Sequence, residues 1–218
     1  MAGQAGQGPS GPGQADPGAR ARRLFGLRDG ATDDLAGQAD AVAAACHAMA
    51  VRFHQGGRLV VFGTGGPSAD AQHVAVEFVH PVIVGKRALP AISLTADAAT
   101  VTGIAERAGM SAIFSHQLRY LARPADIALG ISADGGSPSV AAGLETAREL
   151  GLLTVALVGG LRVDGRQQAG QVADHVLVAG SADPRVVKEM HVTMYHVLWE
   201  LVHVFFEQPG VLGPGVVT

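Results

Sequence analysis

His73 and Glu77 stand four residues apart, a spacing that puts an imidazole and a carboxylate on one face of a helix. Such a pair can hold a metal ion, move a proton, or make a surface hydrogen bond, and the spacing alone leaves all three open. The pair follows Gly63-Thr64-Gly65-Gly66-Pro67-Ser68. Glycines let backbone approach a ligand closely, and a helix start offers unpaired N–H groups to an anion. A tight turn from strand to helix would use the same residues. The segment lacks the Lys-Ser/Thr of a nucleotide-binding P-loop. It also lacks the third glycine and the later acidic residue of a dinucleotide site, so no nucleotide cofactor is expected.

A second glycine-rich segment, Ser132-Ala133-Asp134-Gly135-Gly136-Ser137, carries hydroxyls suited to a phosphate monoester. Asp134 opposes that use, because a carboxylate repels a phosphate dianion unless a cation intervenes. A turn in which Asp134 caps local N–H groups is the competing reading. Near the end, Lys188, Glu189, His191, His196, Glu200 and His203 fall within one helical stretch. His196, Glu200 and His203 follow at steps of four and three, one stripe. His191 lies about 140° from His196 at roughly 100° per residue and faces elsewhere.

The elements that would carry these residues alternate. Apolar runs at Arg58–Gly63, Leu89–Leu94, Asp126–Ser132, Leu153–Val158 and His175–Ala179 read as strands. A long helix is expected from Thr32 to about Gln55. Others are expected near 68–80, 97–107, 111–122, 138–150 and 184–207. Strands apolar on both faces and separated by helices indicate a single α/β domain, its parallel sheet covered on both sides. Ligands bind such sheets at the carboxyl ends of the strands, which singles out the loops after Gly63, Leu94, Ser132 and Val158. Residues 1–18 read as a disordered Gly/Pro-rich tail, 19–207 as the domain and 208–218 as a flexible tail.

Composition narrows the function. A net charge of −3, with no basic run beyond Arg20, Arg22 and Arg23, gives no footprint for nucleic acid. No apolar run approaches the roughly 20 residues of a membrane span, and no signal peptide is read at the start. A cytoplasmic protein with no membrane partner is therefore the default expectation. The single cysteine, Cys46, lies in an apolar run and is expected to be a buried thiol.

Four segments in register resemble phosphoheptose isomerases of the sugar-isomerase (SIS) family. They are Gly63 through Glu77, Leu89 through Asp97, Gly130 through Ser137, and Glu189 through His196. The likeness spans about residues 30–207. It implies a five-stranded parallel sheet with helices on both faces, a flavodoxin-like three-layer sandwich. It further implies a homotetramer or homodimer, with active sites at subunit contacts in the tetramer, and conversion of sedoheptulose 7-phosphate to an aldose phosphate, with zinc in some members.

Carried over by position, the resemblance makes Glu77 the base and His196 its acid partner. His73, Glu77 and His196 would form the metal cluster. Thr64, Gly65, Gly66, Ser68, Asp97, Ser132, Asp134, Ser137 and Lys188 would line the substrate. The chain departs from the family at the ligand. Thr64 replaces Asn, Pro67 replaces Ser and Pro81 replaces Arg. Ala133, Asp134 and Gly136 replace Thr, Ser and Asn, and Lys188 replaces Gln. Asp134 and Lys188, of opposite charge, are expected to pair in one pocket.

Overall fold

A computed structural model of the chain describes residues 16–160, 172–208 and 210–213. Its centre is a sheet of five strands, β1 (Leu59–Gly63), β2 (Ala91–Ser93), β3 (Ile127–Ser132), β4 (Leu153–Gly159) and β5 (His175–Ala179). All pairings are parallel and the spatial order is β2-β1-β3-β4-β5. The winding reverses between β1 and β3, so their carboxyl ends frame the crevice where such sheets bind ligands.

Alternation along the strands explains the layers, since successive side chains point to opposite faces. Leu59, Val61, Ile127, Leu129, Ile131, Val155 and Leu157 pack on one side. That side is covered by α2 (Asp29–Ala36), α3 (Ala39–His54), α4 (Gly66–Val79) and α8 (Pro184–Glu207). Val60, Phe62, Ala128, Ala156, Val158 and Val178 pack on the other. There α5 (Ala98–Ala108), α6 (Ile113–Leu121) and α7 (Pro138–Glu149) complete the sandwich. Cys46 is fully buried on α3, and desolvation pushes its thiol up to about 12.

Three boundaries differ from expectation. The single helix expected over 32–55 is two, broken at Gly37-Gln38. The break frees the Gln38 amide to act as a strand partner: its Nε2 donates to Val178 O at 2.8 Å and its Oε1 accepts from Val178 N at 3.0 Å. Both groups of that residue on the edge strand β5 are thereby satisfied. The strand expected over 89–94 shrinks to three residues, because Pro90 has no N–H for the ladder and Leu89 N is spent on Phe78 O.

The third difference is α1 (Pro17–Gly26), which begins inside the segment expected to be a tail. Asp16 caps it by accepting from Gly18 N at 2.9 Å, and Pro17 fits the first helical position. Residues 1–15, and 209 and 214–218 of the expected end tail, lie outside the described residues. Among the described residues no helix is long and apolar enough to cross a membrane.

Candidate active site at the switch point of the sheet

The loop after β1 turns sharply into α4. Gly65 has φ of 70°, a left-handed conformation open to glycine, and it leaves the first N–H groups of α4 without a side-chain cap. Gly63 must be glycine for another reason: a Cβ there would meet Pro67 Cβ at 2.7 Å and Ile131 O at 2.9 Å. Ser68 donates to Gly65 O at 2.7 Å and so stiffens the turn. Between this loop and Thr95, Thr102 and Phe114 lies a cavity of about 270 Å³.

The loop after β3 meets the first loop through hydroxyls. Thr64 Oγ1 lies 3.1 Å from Ser137 Oγ, which lies 3.2 Å from Ser139 Oγ. Buried Ser132 accepts from Ser137 N at 3.4 Å. Asp134 accepts from Gly136 N at 2.9 Å and stands 3.4 Å from Ser132 Oγ. Its carboxylate thus closes its own turn, the second of the two uses open to it from sequence.

About two and three turns into α4, His73 and Glu77 meet α8. His73 Nε2 is 3.1 Å from Glu77 Oε1, and Tyr195 Oη is 2.9 Å from His73 Nδ1. Trp199 Nε1 donates to Glu77 O at 2.9 Å, a second tie between the two helices at this level. His196 joins the pair, its ring centroid 5.3 Å from that of His73. One ligand atom each from His73, Glu77 and His196 all lie within 4.8 Å of one another. Two imidazoles and a carboxylate with one side open are a donor set that fits a divalent metal. Glu77 is half-buried and His196 exposed, so the open side faces solvent.

Other candidates sit apart from this trio. Asp97 caps α5, accepting from Ala99 N at 3.0 Å, Thr100 N at 3.1 Å and Thr100 Oγ1 at 2.6 Å. The Thr100 hydroxyl, then its N–H, holds the Asp97 carboxyl below its ordinary value. The stripe expected on α8 splits by environment. His203 is buried, bridging Trp199 O and Arg87 O at 2.8 and 2.9 Å, while Glu200 is exposed. His191 is also buried, and desolvation keeps its pKa below the ordinary imidazole value.

Comparison with known proteins decides the family. The SIS domain matches residues 31–159. A phosphoheptose isomerase of Solidesulfovibrio magneticus is 39% identical over 178 residues, covering 81% of this chain and 84% of that one. One from Desulfovibrio desulfuricans is 41% identical over 169 residues, covering 76% and 78%. The chain belongs to the phosphoheptose isomerase family of SIS-domain proteins. The solved structure of a phosphoheptose isomerase from Francisella tularensis superposes with a TM-score of 0.79 at 26% identity, over 86% of this chain and 98% of that one.

Within that family's frame, the expected partnership of Asp134 with Lys188 is not formed. Lys188 Nζ instead donates to Asp70 Oδ1 at 2.5 Å and to Gly66 O at 3.3 Å. Asp70 is buried on α4, its other oxygen has no partner among the described residues, and an ammonium is the nearest way to balance it. Asp70 was legible in principle, because residues 70, 73 and 77 share one helical face. Tyr195 and Trp199 had no such signal: a helix's own periodicity does not reveal where another helix crosses it. Burial, with smaller contributions from the charges of Asp70 and Glu77, raises the Tyr195 pKa and keeps its hydroxyl protonated.

Proposed function

We propose that this protein is an aldose–ketose isomerase acting on a phosphorylated sugar of the sedoheptulose 7-phosphate kind. The observation that carries the reading is the convergence of His73, Glu77 and His196 beside the crevice of a phosphoheptose isomerase fold. No requirement of folding asks for an exposed histidine there.

The chemistry is proton transfer through an enediol. Glu77 takes a proton from C1 of the ketose while the C2 carbonyl oxygen gains one, with His196 as the acid. Glu77 then delivers its proton to C2, and the C1 hydroxyl gives its proton back to His196, leaving an aldose. A zinc ion held by His73, Glu77 and His196 would supply Lewis-acid polarisation of the sugar oxygens. The phosphate is assigned to the hydroxyls of Thr64, Ser132 and Ser137, with Ser68 and the free N–H groups around Gly65 and Gly66 at the start of α4. Lys188 lends positive charge beside Gly66, and Asp97 stands at the rim of the crevice.

Assembly into a homodimer or homotetramer is supported by apolar surface on the helical layer. A groove lined by Leu35, Val42, Met194, Val197 and Leu201 and the exposed run Val82-Ile83-Val84 need cover. A cytoplasmic site of action follows from the substrate class. A non-catalytic SIS module that binds a sugar phosphate, a nucleotide or a partner protein is favoured by one feature, the carboxylate of Asp134 in the phosphate loop. Turnover of sedoheptulose 7-phosphate, with and without added zinc, separates the two. Formation of an aldose phosphate is the expected result; binding without turnover by a folded oligomer would favour the module.

A further inference from the structure

Tyr195 is buried to 2% exposure and stands edge-on to both imidazoles of the trio. Its ring centroid is 5.3 Å from that of His73 and 4.9 Å from that of His196, at 72° and 74°. Its hydroxyl meets His73 Nδ1 at 2.9 Å, while the other ring nitrogen meets Glu77 at 3.1 Å. These two bonds constrain each other. A carboxylate only accepts, so Nε2 must carry the hydrogen that Glu77 receives. A neutral ring then has its lone pair on Nδ1, and only a donor can satisfy it. The Tyr195 hydroxyl is that donor.

A hydroxyl can also do the reverse. If His73 Nε2 surrenders its hydrogen and becomes a metal ligand, Nδ1 carries the hydrogen and needs an acceptor. The same Tyr195 oxygen serves, with the ring left in place. A backbone carbonyl or a carboxylate could serve only the second state, and a phenylalanine neither. Metal-bound histidines rely on such a partner on the far nitrogen for orientation.

We propose that Tyr195 is the positioning residue of the trio: it holds the His73 ring with Nε2 turned toward Glu77 and His196, donating to Nδ1 in the metal-free protein and accepting from it when Nε2 binds a metal. The consequence for catalysis rests on the isomerase reading, but the role itself is read without turnover. The test compares the full-length protein with Tyr195→Phe, and with Tyr120→Phe at an exposed tyrosine as control. Metal-free samples carrying ¹⁵N-histidine report the Nδ1 resonance of His73, and competition against a chelator reports zinc affinity.

The wild-type resonance is expected at a hydrogen-bonded position, moving to that of a free lone pair in Tyr195→Phe. Zinc affinity is expected to fall about 10–100-fold, with kcat reduced more than KM is raised, and Tyr120→Phe unchanged. A wild-type Nδ1 with a free lone pair would overturn the proposal even if the variant fails to fold. So would unchanged resonance and zinc affinity in a folded Tyr195→Phe. Absence of turnover in every sample would count against the isomerase reading, and the nitrogen resonance would still decide the role of Tyr195.

Discussion

Two regions flank the crevice and are built on opposite plans. On one side, α4 and α8 bring His73, Glu77, Tyr195 and His196 into a connected set that leaves an open face for a ligand. On the other, the loop after β3 spends much of its hydrogen-bonding capacity on itself, with Asp134 closing the turn onto Gly136 and Ser137 shared between Thr64 and Ser139. His73, Glu77 and His196 in the first region keep the residue types of the family, with Lys188 for Gln the change on α8, while the second region replaces three residues of its loop. Chemistry at C1 and C2 of a sugar needs fixed proton donors and acceptors. Holding its distant phosphate needs only charge and N–H groups, which several arrangements supply. The difference therefore points to retained chemistry and altered recognition.

The largest effect that would break this contrast is at Glu77. Glu77→Gln keeps the shape but cannot accept a carbon-bound proton, so kcat is expected to fall about 10²–10⁴-fold, with sugar-phosphate affinity changed only a few-fold. Steady-state kinetics and calorimetry measure the two. Next is Asp134→Ser, which restores a hydroxyl and removes a negative charge near the phosphate. It should lower KM about tenfold at unchanged kcat, equivalent to ~1.4 kcal/mol. A fall in kcat instead would place Asp134 in the chemistry and erase the contrast. The smallest effect on turnover is expected from Lys188→Gln, which acts on stability by leaving buried Asp70 without its ammonium. Because 42% of the Lys188 side chain is exposed, the loss is set at about 1–2 kcal/mol, well under the value for a fully buried pair. Thermal unfolding should shift down by about 2–8 °C.

Much of this organisation is legible in the sequence, for physical reasons that differ by element. Strands β1, β3 and β4 are apolar on both faces and bounded by glycine or proline, so their existence and their parallel pairing follow from burial alone. The closing helix follows from Pro184 and an unbroken helical run. Spacing within α4 exposes His73 and Glu77 as a pair. The use of the break at Gln38 is hidden, because its side chain bonds to a strand 140 residues away. The pairing of Lys188 with Asp70 rather than Asp134 is hidden likewise. Opposite charge suggests partners, but only the crossing of α4 and α8 selects between two carboxylates. Tyr195 is the sharpest case. It looks like one more large residue beside His196, and it becomes part of the site only because α8 sets its hydroxyl against a ring on α4.

The central claim is that Glu77 moves the proton between C1 and C2. The most direct measurement follows the C1 hydrogens of sedoheptulose 7-phosphate by NMR in D₂O, with wild-type protein and with Glu77→Gln. The account predicts loss of the signal of one of the two C1 hydrogens and deuterium in the aldose product with wild type, and neither with the variant. Exchange that continues at the wild-type rate in Glu77→Gln would show that another group is the base and would contradict the account.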